Sequence, residues 1–288
     1  LRLTDEQVIT LLKQWAEEFS ASPLCGEVYC QLAERYDRMQ DYTAKLHAAQ
    51  TGLKKYPQSP SANDLKEQAA EVLTPRLMVE IPFAYPAKEV DLKVKYRNLT
   101  GLTVELYRMN LPVTSNILER EITASTVSRY GKLVGTRHYQ LAATPDYMET
   151  DTLLRYKFPT EGIYILKSIP DGHRKYTAYG KAYVSSLQAI SLGLPGGKQE
   201  INIIDRLTGH PVAGTEVAYY RVSQGEGYRL VKAYPADSKG TVTLTPPDER
   251  NWLGINVRKP GADYMEISYA GFSGAGYNVP ASRKWEKH

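Results

Sequence analysis

The sequence is poor in cysteine, in phenylalanine and in long apolar runs. Its 288 residues include two cysteines, Cys25 and Cys30, so neither a disulfide framework nor a four-cysteine zinc site is available. No apolar run approaches the roughly 18 residues that a membrane-spanning helix needs. Phe occurs 4 times against 22 Tyr, and rings that carry a hydroxyl suit thin, half-exposed sheets better than a deep core.

The sequence also lacks a large excess of either positive or negative charge. Lys and Arg total 36 and Asp and Glu total 32, a net charge of +4, and the basic residues are scattered rather than gathered in a patch. This distribution argues against a nucleic-acid partner. With 42% apolar and 24% charged residues, the chain is that of a globular protein. It begins Leu-Arg-Leu-Thr without a signal-like stretch, and we expect an excised or processed chain.

The first 74 residues have a helical apolar period. Thr4 and Gln7 fit a capping box, and a single apolar stripe follows on a helix that ends before Pro23. The stripe consists of Val8, Leu11, Leu12, Trp15 and Phe19. A second helix precedes the turn at 38–40, a third begins at Asp41, and Ser59-Pro60 reads as the N-cap and first residue of a fourth. Four helices with short joints predict stacked antiparallel hairpins.

The middle pair of helices resembles a tetratricopeptide repeat over residues 26–59. The 34-residue pattern is matched at its large, small, aromatic, turn, apolar and terminating positions, which are Tyr29, Leu32, Ala33, Tyr36, Asp41-Tyr42, Leu53 and Pro57. Lys45 and Gly52 depart from it, because they occupy positions where alanine is usual. Since one repeat cannot bury its own face, we expect further units upstream of Leu1. The resulting groove could take a peptide, although packing on the next domain accounts for the same stripe.

Near Thr74-Pro75 the apolar period changes from 3.6 to 2. Alternating segments follow to about residue 192, and 98–101 reads as a hairpin turn. The predicted strands lie at 77–81, 90–96, 102–106, 132–141, 152–158, 163–169 and 178–192. A second set lies at 201–204, 216–221, 229–234, 241–244, 252–258 and 264–269. We therefore predict a multidomain α plus β chain: helical hairpins (1–74), then two antiparallel β-sandwiches (75–194 and 195–288), the second with a frayed tail beyond Pro280.

No segment has the spacing of a catalytic motif, so we predict no catalytic, cofactor-binding or metal-ligating residue and no enzymatic activity. The phosphate-loop-like stretch 193–198 is one residue short, and Gln199 stands where Ser or Thr would hold magnesium; we interpret it as an interdomain turn. The stretch 271–275 resembles a nucleophile elbow but ends in Ala275 and lacks a strand-to-helix context.

Isolated titratable residues are interpreted as structural or solvated. The histidines lack the i, i+4 pairing of zinc hydrolases; they are His47, His138, His173, His210 and His288. Asp146, Glu149 and Asp151 are interpreted as a solvated loop, because a glycosidase pair is defined by a distance that sequence does not give. Cys25 and Cys30 lie too far apart on a helix for a disulfide and are assigned to packing.

Four stretches of the β region resemble the bacterial α2-macroglobulin family. Residues 79–109 are similar to the opening of the macroglobulin domain numbered two, 159–166 to its late strand, and 182–187 to its closing strand. The most specific is 203–217 with 237–244, in which Thr-Gly-x-Pro-x-x-Gly-x-x-Val precedes Asp-x-x-Gly. Physical roles support these residues independently: Pro211 spoils an edge hydrogen bond, and Gly209 and Gly214 suit a turn and a bend. Residues 237–240 are predicted to form a tight turn in which Gly240 accepts a positive φ.

The resemblance implies a macroglobulin-like pair of domains of the types numbered two and three in a proteinase-trapping inhibitor. Cys25-Gly26-Glu27 imitates the family's thioester motif, but Val28 replaces its glutamine, so no site is carried over. The resemblance implies a noncatalytic scaffold fragment of an exported, periplasmic or surface protein, membrane-anchored at full length. Its partners would be proteinases, met through the full-length protein, and an envelope protein. The alternative is a cell-surface adhesin or glycan-binding module with Trp252 as a contact.

Overall fold

The computed structural model describes residues 3–82, 84–110, 122–195, 198–223, 227–244, 253–258 and 266–268. The helices of this part are α1 (Asp5–Glu18), α2 (Cys25–Arg38), α3 (Tyr42–Lys55), α4 (Ala62–Leu73) and α5 (Ala124–Tyr130). The strands up to residue 184 are β1 (Arg76–Glu80), β2 (Glu89–Arg97), β3 (Gly101–Met109), β4 (Gly131–Gln140), β5 (Thr150–Lys157), β6 (Gly162–Pro170) and β7 (Ala178–Val184). The later strands are β8 (Leu187–Gly193), β9 (Gln199–Asp205), β10 (Glu216–Ser223), β11 (Gly227–Pro235), β12 (Thr241–Leu244), β13 (Leu253–Arg258) and β14 (Glu266–Ser268).

The predicted fold class, α plus β with sandwich domains, is confirmed. The capping box of Thr4 and Gln7 is present at the start of α1, and the Asp41 side chain accepts a hydrogen bond from the Ala44 amide at the start of α3. The prediction for α4 is wrong by two residues: its N-cap is Ser61, and Ser59 accepts a hydrogen bond from the Ser61 amide instead. Pro60 therefore stiffens the turn before the helix.

The four N-terminal helices pack in chain order and share one apolar core. The core is formed by Ile9, Leu12, Cys30, Leu32, Ala33, Leu46, Ala48, Ala49, Leu65, Ala69 and Val72. The stripe predicted on α1 is only partly correct, because Leu12 is buried whereas Leu11, Trp15 and Phe19 are exposed. Helix α1 instead buries its Ile9–Leu12–Ala16 edge.

Strands β1 to β7 form two antiparallel sheets that pack face to face, as predicted for the first sandwich. Their orders are β1-β2-β5 and β4-β3-β6-β7. The core between them contains Leu92, Val94 and Tyr96 from the first sheet with Val104, Tyr164 and Leu166 from the second. Alternate residues of β6, Ile163 and Ile165, face the other side and pack with Val127 of α5. Helix α5 was not predicted, since its seven residues are too few for a periodic signal.

The prediction of a hairpin at 98–101 is wrong. Strand β2 pairs with β1 and β5, and β3 pairs with β4 and β6, so the turn crosses from one sheet to the other. Asn98 has φ 56°, a left-handed conformation that asparagine tolerates better than most residues, and Leu99 is buried. Local turn chemistry marks a reversal of the chain, but does not specify which strand lies next to which.

The strands after residue 186 form a second pair of packed sheets, ordered β12-β9-β8 and β11-β10-β13-β14. Leu187, Ile201, Ile203 and Val242 pack against Val217 and Val257 of the opposite sheet. The strand predicted at 178–192 is two strands, β7 and β8, separated at Ser185-Ser186.

The interpretation of 193–198 as an interdomain turn is wrong, because β8 and β9 on either side of it pair antiparallel. The Leu194 amide donates to the Lys198 carbonyl at 2.8 Å. Glycine and proline punctuate hairpins within a sheet as readily as linkers between domains. The predicted tight turn at 237–240 is confirmed: Gly240 has φ 70° and its amide donates to the Asp237 carbonyl.

Candidate functional site: two fixed joints

The individual residues considered for chemistry do not converge in the described part of the chain. No group of three or more His, Cys, Asp and Glu side chains there could hold a metal ion. His47 in α3 is exposed, as are His173 and His210 in two different loops. His138 pairs with Asp171 across 2.8 Å. His288, Trp252, the 271–275 stretch and the tail beyond Pro280 lie outside the described residues.

Both cysteines are buried and free, in agreement with their assignment to packing. Burial, with nearby carboxylates, raises the pKa of the Cys30 thiol to about 11, so at neutral pH it carries no thiolate for nucleophilic chemistry. The Cys25 thiol donates to the Ala16 carbonyl.

A connected set of hydrogen bonds and ion pairs lies where α4 meets the first sandwich. The last carbonyls of a helix have no partner within the helix and carry partial negative charge. Here Arg97 donates from its guanidinium to the Glu71 carbonyl at 2.8 Å, and Asn98 donates from its side-chain amide to the Val72 carbonyl at 2.7 Å. The end of β2 and the turn that follows it therefore supply hydrogen-bond donors to the last carbonyls of α4.

Arg97 is deeply placed for a charged residue. Its side chain is 4% exposed and its guanidinium lies over the Tyr42 ring, 5.8 Å from the centroid. Burial, followed by repulsion from Arg76, lowers the pKa of Arg97 from its ordinary value. The positive charge lies against the carbonyl end of α4 and the face of an aromatic ring, and both carry partial negative charge.

A series of ion pairs continues from this point through both segments. Lys45, 3% exposed, donates to Asp37 at 2.6 Å and to Glu71 at 2.7 Å. Burial alone would lower the pKa of Lys45, but the bonds to the two carboxylates outweigh it, and the pKa is raised. Beyond Glu71, the pairs continue through Arg76 and Glu149 to Lys95. Glu149, interpreted from the sequence as part of a solvated loop, thus belongs to this joint.

Hydrogen bonds from Lys95 and Arg76 lower the pKa of Glu149 despite its partial burial. The neighbouring Tyr147 has φ 59° and packs against the helical core. The Thr144 hydroxyl in the same loop accepts a hydrogen bond from the backbone amide of Asn98 at 2.9 Å. Asp146 and Asp151 remain exposed. The loop before β5 therefore contacts both the helices and the turn that caps them; we name the whole set the helix–sandwich joint.

A second joint links the two pairs of sheets at Ser185–Leu187. Ser185 is fully buried, and its amide donates to the Ala84 carbonyl at 3.1 Å. Ser186 donates its hydroxyl to Glu161 at 2.7 Å. From the other side, Arg206 donates from its backbone amide to the Ser186 carbonyl and from its Nε to the Leu187 carbonyl at 2.6 Å.

The motif at 205–209 shapes this second joint. The Asp205 carboxylate accepts from the amides of Leu207 and Thr208, both at 2.9 Å, and from the Thr208 hydroxyl. These bonds lower the pKa of Asp205 and fold the turn so that Arg206 faces the linker. The motif recognised in the sequence is thus a structural element of the joint, which its spacing alone did not reveal.

Sequence comparisons give no match: no protein-family model and no curated protein matches this chain. Solved structures do match. The chain is similar to native alpha-2-macroglobulin from Escherichia coli spanning domains MG0-NIE-MG1, at 17% identity and TM-score 0.54, over 68% of this chain and 64% of that one. A fragment of the same protein spanning NIE-MG1 matches at 16% identity and TM-score 0.51, over 68% of this chain and 97% of the fragment.

These likenesses show a shared fold. The resemblance to bacterial α2-macroglobulins that the sequence indicated is therefore confirmed at the level of the fold. The chain spans about two thirds of the length of the first fragment. The domains of these two fragments, MG0, NIE and MG1, are numbered differently from the two and three indicated by sequence, so those numbers stay a prediction. The resemblance of the helices to a tetratricopeptide repeat also stays a prediction. Within the described residues no helix is long and apolar enough to cross a membrane.

Proposed function

We propose that this chain is a noncatalytic scaffold segment of a bacterial α2-macroglobulin-like inhibitor that traps proteinases. The shared fold with two E. coli alpha-2-macroglobulin fragments supports the assignment. In such an inhibitor, cleavage of a bait segment elsewhere triggers a collapse around the proteinase. In this proposal the chain carries out no chemical step. It forms a rigid segment relative to which the other domains move.

The observation that carries this proposal is the way both joints are built. At the helix–sandwich joint, Arg97 and Asn98 bond to the end of α4. At the second joint, the Arg206 backbone amide donates across the boundary to the Ser186 carbonyl at 2.7 Å. Flexible linkers between domains present few crossing contacts. Directional bonds across both boundaries, with a buried Arg97 at the first, favour a segment that keeps its modules in fixed relative positions.

We also propose a revised division of the chain into modules: 1–74, 75–186 and 187 onward. The boundary moves from 194 to 186 because β8 pairs with β9 and its Leu187 packs in the second core. As part of the proposal, proteinases are met only by the full-length inhibitor, which is exported to the periplasm or cell surface and anchored there, next to an envelope partner.

The proposal is tested by proteinase assays on this chain and on a longer protein that contains it. The chain alone is expected to leave the cleavage of a fluorogenic protein substrate unchanged at stoichiometric and excess ratios. In the longer protein, Arg97→Ala should weaken inhibition, whereas Arg137→Ala, which alters an exposed arginine of β4, should not.

Stoichiometric inhibition by these residues alone would contradict the scaffold assignment, and so would turnover of any substrate. The glycan-binding alternative gains no support from the described residues, since its predicted contact Trp252 lies outside them. Saturable binding on a glycan array that is lost in Trp252→Ala would favour that alternative.

A further inference from the structure

Helix α1 exposes an apolar stripe on the side that does not pack against α2. Leu11 and Trp15 of α1 and its C-cap residue Phe19 follow one another at four-residue spacing, which places them on one side of the helix. They are 38%, 47% and 51% exposed. The adjoining edge of the same helix, with Ile9, Leu12 and Ala16, is buried. The apolar surface of α1 is therefore wider than the surface that α2 covers.

The four helices contain an internal repetition that identifies the equivalent of this stripe. Helix α3 begins 37 residues after α1, and α4 begins 37 residues after α2. Both α1 and α3 have 14 residues and a side-chain N-cap, at Thr4 and Asp41. The loops that follow them match too, with proline at 23 and 60. Helices α1 and α3 thus occupy equivalent places in two successive helical pairs.

The residues of α3 and its C-cap that are equivalent to the stripe are all buried. The equivalents of Leu11, Trp15 and Phe19 are Ala48, Gly52 and Tyr56. Helix α2 contacts two of these three positions: a Cβ added to Gly52 would lie 2.5 Å from the Tyr29 Cβ, and the rings of Tyr29 and Tyr56 are 5.9 Å apart. The helix preceding α3 therefore covers the surface that, on α1, faces solvent.

We propose that the Leu11–Trp15–Phe19 stripe of α1 docks an amphipathic helix that packs antiparallel to it as α2 packs on α3. The occupant would extend the established stack by one helix, because α1 already presents its other edge to α2 in the way that α3 does to α4. Its chemistry follows from one difference: where Gly52 admits Tyr29, α1 has Trp15. The docked helix therefore carries a small residue opposite Trp15, with apolar residues one turn to either side.

The test uses this chain and a hydrocarbon-stapled peptide of residues 22–39 that carries Tyr29→Ala. The staple replaces Glu27 and Gln31 and supplies the helicity that a short free peptide lacks; far-UV circular dichroism verifies it. Fluorescence anisotropy of the labelled peptide measures binding, and the emission of Trp15, assigned with Trp15→Phe, reports burial of the stripe. A scrambled stapled peptide is the control.

We expect saturable binding with a shift of Trp15 emission to shorter wavelength. Leu11→Glu and Trp15→Glu should each weaken binding by at least about tenfold, because a charge would be buried against the peptide. Gln14→Glu adds the same charge outside the stripe and should change binding less than about twofold. All three positions are exposed, so unchanged circular dichroism is expected.

Absence of saturable binding by a peptide shown to be helical would overturn the proposal. Equal binding of the scrambled peptide would do so as well. Sedimentation of the chain alone gives the third outcome: a dimer abolished by Trp15→Glu would assign the stripe to a second copy of the chain and contradict the proposed occupant. The docking surface involves no proteinase, so these results stand apart from the proposed function.

Discussion

The helix–sandwich joint predicts that Arg97→Ala destabilises the helices and their contact with the first sandwich. The substitution removes a hydrogen bond from a charged donor to the Glu71 carbonyl at 2.8 Å, worth roughly 1.5–3 kcal/mol. It also removes the contact with the Tyr42 ring, worth about 2 kcal/mol at a desolvated site such as this one. Against this, burial of the guanidinium is itself costly: its Nε has no hydrogen-bond partner among the described residues.

The net loss expected in the free energy of unfolding is about 2 kcal/mol, since the relieved desolvation offsets part of the lost bonding. Arg97→Lys should lie between wild type and Arg97→Ala, because a lysine keeps the charge but not the planar fork. The matched control is Arg137→Ala, an exposed arginine that also stacks on a tyrosine and whose loss should cost less than about 0.5 kcal/mol.

Urea unfolding measures the change, and native-state hydrogen exchange locates it. Amides in α4 should exchange faster in Arg97→Ala, while those in β6, at the centre of the first sandwich, should not. A loss below about 0.5 kcal/mol with unchanged α4 protection would refute the reasoning, because it would mean that the buried guanidinium stabilises neither segment.

Three further predictions address the helical core, the ion pairs and the cysteines. Gly52→Ala should lower the free energy of unfolding, measured thermally or in urea, by about 1–3 kcal/mol, because the new Cβ would lie 2.5 Å from the Tyr29 Cβ. The control Gly193→Ala, with no atom within 4 Å of the added Cβ, should be nearly neutral. Equal losses in the two variants would contradict the packing described for Gly52. The stability that Glu149 contributes is present above its unfolded pKa near 4.5 and is lost as the pH falls through its lowered folded pKa. The urea midpoints of wild type and Glu149→Gln should therefore differ most near neutral pH and converge in acid. A difference that stays constant with pH would argue against the ion pairs. Cys25 and Cys30 should react with a thiol reagent only after denaturation, because both are buried and the Cys30 pKa is raised to about 11; rapid reaction of the native chain would contradict this.

The elements themselves were largely predictable, because they depend on local periodicity and capping. The capping box at Thr4 and the tight turn at Asp237–Gly240 follow from a few adjacent residues, and the structure places both as expected. What sequence could not give is which elements meet. The sequence around Asn98 predicts a hairpin, because no local signal indicates that its two strands belong to opposite sheets.

The joints were missed for the same reason. Lys45 and Gly52 stood out as departures from the repeat pattern, and the structure supplies the cause: Lys45 pairs with Asp37 and Glu71, and Gly52 admits the Tyr29 side chain. The sequence signal is that these two residues depart from the repeat pattern. The residues they contact lie up to 26 positions away, and only the fold brings them together. Glu149, 73 residues from Arg76, had no signal of its own.

The central claim, that the helices and the first sandwich are held in one relative position, is tested most directly by a distance distribution between them. Spin labels at Gln50 on α3 and Leu153 on β5, both exposed, can be attached through introduced cysteines, since Cys25 and Cys30 are buried. Pulsed electron paramagnetic resonance should give one narrow distribution that broadens in Arg97→Ala. A broad distribution in the otherwise unaltered chain, unchanged by Arg97→Ala, would contradict the account.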